Sequence, residues 1–150
     1  MKNPESFKKL PYRKNVGALV YKGDKYLVTQ MVDDFWKLPQ GGVHDGESRK
    51  EALMRELKEE LGSDNFEIIK QFPFRHQYDW DEENVRHTGY HWRGQKQSFF
   101  KVEFTGDKIT LDPKELKDYC WLTKEELLKK VDSNHPLMKG YKKLVEKLLR

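Results

Sequence analysis

The stretch 41–63 constrains the fold of this chain more than any other part of the sequence. Three glycines near its start predict a loop: Gly41, Gly42 and Gly46. From Ser48 to Leu61 the residues are good helix formers, with no Gly or Pro among them. Gly62 is a typical residue for a helix end. The stretch therefore predicts a glycine-rich loop, a helix and a sharp exit.

The predicted helix has an apolar face and an acidic face. At roughly 100° per residue, one stripe contains Leu53, Met54, Leu57 and Leu61. Another contains Glu56, Glu59 and Glu60, at i, i+3 and i+4. Such like-charge pairs are unfavourable by about 0.2–0.5 kcal/mol each on an isolated helix. The acidic face is therefore expected to meet either open water or cations.

Two chemical interpretations of this acidic face remain open at this point. One is a solvated, glutamate-rich surface. The other is a Mg²⁺ site, since Mg²⁺ prefers carboxylate oxygens and water and is often shared with substrate phosphates. Arg55 and Glu47 are spaced so that they can pair, and we hypothesise that this pair holds the loop against the helix.

The spacing of these residues resembles the Nudix box. That motif has a Gly, a Glu, an Arg-Glu-aliphatic triplet, a Glu-Glu pair, a Gly and an aliphatic residue at fixed separations. The matching positions here are Gly41, Glu47, Arg55-Glu56-Leu57, Glu59-Glu60 and Gly62. The departure is Ser63, where the family has an aliphatic residue; it affects packing after the helix and none of the proposed metal ligands.

Other segments narrow the resemblance to two related Nudix groups, the RNA pyrophosphohydrolases and the asymmetrical dinucleoside tetraphosphate (diadenosine tetraphosphate) hydrolases. The similar segments are 12–17, 36–42, 94–100 and the spacing from Glu115 to Trp121. Gly94-Gln95-Lys96-Gln97 is the most distinctive of them. Three departures concern Lys37, where these groups usually have Gln, Phe99, where they have Trp, and Lys114, which separates Pro113 from Glu115.

The resemblance implies an α/β fold, an α/β/α sandwich with a mixed sheet that carries a loop-helix-loop box. It implies a hydrolase of phosphoanhydride bonds that depends on Mg²⁺, with Mn²⁺ as a possible substitute. The catalytic residues carried over are Glu56, Glu59 and Glu60, one of which also acts as base. The metal residues carried over are Glu56, Glu59, Glu60, Glu115 and Gly41. Glu47, Arg55 and Gly62 have structural roles in the box.

Residues that contact the substrate are also implied by the resemblance. The candidates for phosphate or base contacts are Arg13, Lys37, Gln40, Gln95 and Lys96. Tyr78, Trp80 or Trp92 are candidates to stack on a nucleobase, an interaction that contributes about 1–3 kcal/mol per base. Core packing and loop anchoring are the alternative roles for these aromatic residues. For Arg13 and Glu115 the alternative is an ordinary surface charge.

RNA 5′ ends are the substrate that the sequence favours, because Tyr12-Arg13-Lys14-Asn15 and the Gly-Gln-Lys-Gln stretch resemble the RNA-processing group and the chain is basic. Diadenosine tetraphosphate, cleaved to ATP and AMP, is the first alternative. Another nucleoside diphosphate derivative is the second. A non-catalytic domain that binds nucleotide or RNA is the alternative from a different class.

Composition sets broader limits. With 150 residues, the chain predicts a single domain over residues 1–150. The net charge of +4 suits an anionic partner, and nothing suggests sequence-specific DNA binding. The polar residues 1–6 and the lack of a long apolar run predict a cytoplasmic protein without signal peptide or membrane span. The single cysteine, Cys120, is expected to be a buried, inert thiol.

Periodicity predicts the remaining elements. Strands are expected at 16–21, 26–30, 66–74, 94–104 and 119–122, with a turn at 22–25 and a loop at 113–118. Helices are expected at 123–131, after a capping box, and from about Pro136 to the C-terminus. Residues 76–92 show no clear period and are interpreted as a long functional loop or irregular hairpin. His87 and His91 in this segment have helix-type metal spacing but no evident third ligand, which favours a structural or surface role.

Overall fold

A computed structural model describes residues 7–150 of the chain. The strands within this range are β1 (Tyr12–Lys22), β2 (Lys25–Met31), β3 (Trp36–Lys37), β4 (Gln40–Gly42), β5 (Phe66–Asp79), β6 (Gly94–Phe104) and β7 (Leu116–Leu122). The α-helices are α1 (Arg49–Leu61), α2 (Glu82–His87), α3 (Lys124–Lys130) and α4 (Tyr141–Leu148). The N-terminal segment 1–6, used above to predict that no signal peptide is present, lies outside the described residues.

The strands form one mixed sheet. Its order is β3-β2-β1-β6-β5, with β4 paired to β1 and β7 paired to β2. β1 and β6 are parallel over a long register from Tyr12↔Gly94 to Tyr21↔Glu103, while the other pairings are antiparallel. Parallel neighbours need a crossover, and here the connection between β1 and β6 includes α1. The crossover places the acidic helix against the centre of the sheet.

Each face of the sheet carries a separate apolar core. On one face α1 packs through Ala52, Leu53, Leu57 and Leu61 against Val16, Ala18, Val20 and Phe100. On the other face Leu19, Val28 and Phe99 pack with Leu127 of α3 and Leu144, Val145 and Leu148 of α4. Successive strand residues point to opposite faces, so adjacent residues such as Phe99 and Phe100 enter different cores. The predicted α/β/α sandwich with a mixed sheet is confirmed.

The structure corrects one prediction about loops and decides between two alternatives for another. Gly41 and Gly42 belong to the short strand β4 rather than to a loop, and they pair with Val16 and Asn15. For the segment 76–92 the long loop is wrong and the irregular hairpin is confirmed, since β5 continues to Asp79, α2 follows, and β6 returns antiparallel with Gly94 paired to Asp79. Asp81 caps α2 by accepting a hydrogen bond from the Asn84 backbone N–H at 2.9 Å.

The segment between β5 and β6, which contains α2, buries few apolar side chains. For this reason its sequence shows no hydrophobic periodicity. Val85 is the buried side chain of α2. The return is closed by a backbone hydrogen bond from Trp80 N to Arg93 O, 2.8 Å, and by an ion pair of 2.9 Å between Arg93 and Asp79. His87 lies at the end of α2 and His91 lies beyond it, and both are exposed. They therefore do not share a helix face, in keeping with a surface role.

The C-terminal part also differs from the prediction of a continuous helix. A 3₁₀ turn at Pro136–Met138 is separated from α4 by Gly140, whose φ is 80°. Leu137 is 57% exposed, and Met138 enters the core instead. β7 begins earlier than expected, because Leu116 is buried and pairs with Met31. In residues 7–150 no helix combines the length and the apolar character that a bilayer span requires.

Candidate active site

The ends of α1 are fixed by local sequence. Ser48 caps the N-terminus by accepting a hydrogen bond from the Glu51 backbone N–H, and the Glu51 side chain accepts one from the Ser48 N–H in return. Gly62 closes the helix in the left-handed conformation with φ 67°, which glycine adopts without strain. With both ends fixed and the apolar face buried, Glu56 and Glu60 are held half-buried and Glu59 is exposed.

Arg55 lies at the centre of the acidic cluster. Its guanidinium binds both carboxylate oxygens of Glu47, at 2.7 and 3.0 Å, and donates to the carbonyl oxygen of Gly42 at 2.8 Å. It also donates to Glu56 at 2.9 Å and to Glu59 at 3.2 Å. The predicted Arg55–Glu47 pair is therefore present, and the same side chain joins β4, the following loop and α1.

These hydrogen bonds perturb the ionisation of the loop. The Arg55 guanidinium, together with the backbone N–H of His44, lowers the pKa of Glu47 to about 2. The hydrogen bonds from Arg55 to Glu47 in turn raise the pKa of the guanidinium above its ordinary value. Both groups are charged at any pH where the protein is expected to work.

Gly41 and Gly42 are required by close packing of side chains against β4. A Cβ at Gly41 would lie 2.0 Å from the carboxyl carbon of Glu56. A Cβ at Gly42 would lie 2.1 Å from the Arg13 guanidinium. The two glycines therefore let an acidic group approach β4 from the α1 side and a basic group approach it from the opposite side.

Carboxylates crowd around Glu60. Burial raises the pKa of Glu60 to about 8, and the neighbouring charges of Glu56, Glu115, Asp112 and Glu59 add to this effect. Burial also raises the pKa of Glu56. The structure thus brings the remote Glu115, which the resemblance implies as a metal residue, close enough to raise the pKa of Glu60. It also adds Asp112, whose backbone N–H donates to the Glu60 carbonyl at 3.0 Å.

The donor set fits a hard divalent cation. Carboxylate oxygens are the ligands that such cations prefer, and a nearby cation would offset both the burial and the mutual repulsion that raise the pKa of Glu60. In residues 7–150, however, no three acidic, His or Cys side chains already converge on one metal-sized position. Arg55 holds one oxygen each of Glu56 and Glu59. The site would therefore close on an ion by reorientation of these carboxylates.

A buried polar network lies on the opposite face of the sheet. Asn15 donates to Gln95 Oε1 at 3.0 Å, and Gln97 donates to Asn15 Oδ1 at 2.9 Å. Gln97 also donates to Gln40, and Gln95 donates to the Tyr78 hydroxyl at 2.6 Å. Asn15, Gln95 and Gln97 are each less than 10% exposed. Every member has a partner, so the network fixes Gln40 and Tyr78 at the edge of a cavity.

Sequence reasoning included Gln40 and Gln95 but missed Asn15, Gln97 and Asp112. A signal for the first two exists, because polar side chains interrupt the apolar patterns of β1 and β6 at positions that face the same side. Their pairing as direct neighbours, Asn15↔Gln97, follows only from the parallel register. Asp112 precedes a proline in a predicted loop, and no local pattern indicates its proximity to Glu60.

The predicted substrate residues fall on two faces. Lys37, Gln40 and Tyr78 line one cavity together with His76 and Gln97. Lys37, Tyr78 and Trp80 also line an adjoining cleft of about 560 Å³. Burial lowers the pKa of Lys37. Trp92 lines neither, and Lys96 projects to the α1 face, because it alternates with Gln95 and Gln97 along β6.

Similarity to known proteins agrees with this architecture. The family model described as NUDIX domain matches residues 11–147. A protein of Nitratiruptor sp. named RNA pyrophosphohydrolase is 40% identical over 126 residues, which cover 77% of this chain and 81% of the relative. A Bartonella clarridgeiae protein of the same name is 36% identical over 141 residues, covering 81% and 82% respectively.

Solved structures show the same fold at lower identity. The Ap4A hydrolase of C. elegans, in a binary complex, has a TM-score of 0.65 and 19% identity over 91% of this chain and 97% of that one. The MutT protein of Methanosarcina mazei has a TM-score of 0.67 and 20% identity over 95% and 96%. With the family match over most of the chain, relatives at 34–40% identity and the box geometry described above, this chain belongs to the Nudix family, whose hydrolases generally use a divalent metal.

Proposed function

We propose that this protein is a Mg²⁺-dependent pyrophosphohydrolase that acts on the 5′-triphosphate or 5′-diphosphate end of RNA. The observation that carries the proposal is the match over most of the chain to relatives named RNA pyrophosphohydrolase. The crowded carboxylates of α1, close to a glycine strand and to basic and amide side chains, support a polyphosphate as substrate.

In the proposed reaction, a water oxygen attacks a phosphorus of the 5′ polyphosphate and the phosphoanhydride bond breaks. Pyrophosphate, or successive phosphates, leave, and the RNA keeps a 5′-monophosphate. One of Glu56, Glu59 and Glu60 accepts the proton from the water. When bound, the cation supplies positive charge against the phosphate oxygens and makes the attacking water more acidic.

The protein's own contribution is positioning and electrostatics. Arg55 fixes the positions of Glu56 and Glu59 relative to β4. Glu115, from the loop before β7, completes the carboxylate cluster. Arg13, Lys37, Gln40 and Gln95 are proposed to orient the phosphates or the first base from the opposite side of β4. Lys96 is proposed to contact phosphate from the α1 face.

The test is a side-by-side turnover assay of the purified protein with Mg²⁺. Equal concentrations of 5′-triphosphorylated RNA, diadenosine tetraphosphate and ADP-ribose are compared, with Mn²⁺ in a parallel series. The proposal predicts faster conversion of RNA to its 5′-monophosphate form than of either small molecule.

Preference for diadenosine tetraphosphate would instead assign the protein to dinucleotide clearance. Preference for ADP-ribose would indicate another nucleoside diphosphate derivative. Binding of RNA without turnover in either metal would favour a non-catalytic binding domain.

A further inference from the structure

A basic groove lies outside the proposed active site, between β5 and α4. It has a volume of about 200 Å³ and is lined by Phe74, Arg75, His76, Gly140, Lys143, Leu144 and Lys147. None of these lining residues is acidic. Lys143 and Lys147 are exposed, so their ammonium groups are accessible from solvent. Arg75 borders the groove only through its backbone, since its guanidinium donates to Ser98 Oγ at 3.3 Å on the opposite face of the sheet.

The cations of the groove are not neutralised by nearby carboxylates. No carboxylate of residues 7–150 forms an ion pair with Lys143 or Lys147. Lys143 and Lys147 are four residues apart on α4, a spacing at which like charges repel. The Lys147 ammonium lies 4.0 Å from the centre of the Phe74 ring, which holds it beside the groove. An anionic ligand would relieve this repulsion.

The groove continues from the cavity beside β4. His76 lines both spaces, and the first cavity also contains Lys37 and Gln40. Gln40 directly precedes Gly41, which contacts the Glu56 side chain. Burial lowers the pKa of His76, so the boundary between the two spaces is uncharged at neutral pH. A chain whose 5′ end lies at the carboxylates beside Gly41 can therefore continue past Gln40 and His76 and reach Lys143 and Lys147.

We propose that this groove binds the phosphodiester backbone of RNA downstream of the 5′ end. The inference rests on the proposed function, since it assigns the groove to the same substrate. Lysine ammonium groups act as point charges for phosphate without reading the base. A substrate that ends within the first cavity leaves the groove empty, whereas a longer RNA continues into it.

The experiment uses the full chain and the double variant Lys143→Gln/Lys147→Gln. Both side chains are exposed, so the fold is expected to be unaffected. The matched control is Lys108→Gln/Lys124→Gln, which removes the same charge from exposed positions that line none of these spaces. Fluorescence anisotropy measures binding of a labelled 5′-hydroxyl RNA oligonucleotide, and turnover is measured on 5′-triphosphorylated RNAs of increasing length.

We expect the groove variant to bind the oligonucleotide about tenfold more weakly. The slope of log K against log salt concentration should become shallower by about 1.4, because each of the two lost phosphate contacts contributes roughly 0.7. KM for long RNA should rise while turnover of a triphosphorylated dinucleotide is unchanged. Equal losses in the control, or equal losses for the dinucleotide, would overturn the proposal. Unchanged RNA binding would also overturn the proposal and would favour an acidic protein segment as the ligand of the groove.

The two proposals fail in different ways. If the unmodified protein turns over no triphosphorylated RNA, the proposed function fails, and the anisotropy measurement still decides whether the groove binds RNA. If the protein turns over RNA at a rate independent of length and of Lys143 and Lys147, only the groove assignment fails.

Discussion

Arg55 is the side chain on which the geometry of the acidic helix face depends. It is only 21% exposed and joins Glu47, Gly42, Glu56 and Glu59 through its planar set of donors. A guanidinium can bind one carboxylate with two hydrogen bonds and still reach others, whereas an ammonium is a single point charge. The identity of this residue, and not only its charge, is therefore expected to matter.

Arg55→Lys should lower both stability and turnover. Losing charge-assisted hydrogen bonds at a partly buried position costs about 2 kcal/mol, and Glu56 and Glu59 lose their common donor. Urea unfolding and kcat on triphosphorylated RNA check this. Arg49→Lys, at the first position of the same helix, is the control. Equal effects of the two substitutions would contradict the role given to Arg55.

Glu60 provides a prediction about pH. Its pKa in the folded protein is raised to about 8, from an ordinary value near 4.5. Between these values the folded state retains a proton that the unfolded state releases, so the free energy of unfolding of the metal-free protein should fall as the pH rises from 5 to 8. Glu60→Gln should reduce this fall and abolish most turnover. Chemical denaturation at several pH values in EDTA provides the measurement.

Divalent cations should reverse this loss of stability. A cation held by the carboxylates favours the ionised form of Glu60, so Mg²⁺ should stabilise the protein more at pH 8 than at pH 5. Melting temperatures with Mg²⁺ and with EDTA at both pH values test the expectation. A stabilisation that does not depend on pH, or that persists in Glu60→Gln, would count against a cation at this cluster.

Among the elements, β4 separates the two halves of the site. Its glycines allow Glu56 to approach from one face and Arg13 from the other. Gly41→Ala should displace the Glu56 carboxylate and lower kcat, whereas Gly42→Ala should displace Arg13 and raise KM. Both glycines pair with β1, so each variant controls for the other. Steady-state kinetics that show the same change in both parameters would refute this division.

The elements that local sequence specifies were predictable. The glycine end and the apolar stripe predicted for α1 both appear in the structure, which adds a capping box of Ser48 and Glu51. β4 was not predictable, because its glycines are needed to make room for side chains of α1 and β1, which are distant in sequence. α2 was missed because Val85 is its single buried side chain, too little to produce a periodic pattern.

On the scale of the whole molecule, the site lies at the short strand β4, which residues from both faces of the sheet approach. The motif predicted the acidic half, since its carboxylates lie on one helix. The polar half depends on the parallel register of β1 and β6, which places Asn15 beside Gln97. Asp112 and Glu115 reach Glu60 only through the loop before β7. These contacts join residues that are far apart in sequence, so local sequence patterns do not predict them.

The central claim is that the carboxylates of α1 perform the hydrolysis of an RNA 5′ polyphosphate. The most direct test compares the unmodified protein with Glu59→Gln/Glu60→Gln on 5′-triphosphorylated RNA in Mg²⁺, measuring both the 5′-monophosphate RNA and the pyrophosphate or phosphate released. We predict that the double variant folds normally and loses nearly all turnover. Full activity in a correctly folded double variant would contradict the account.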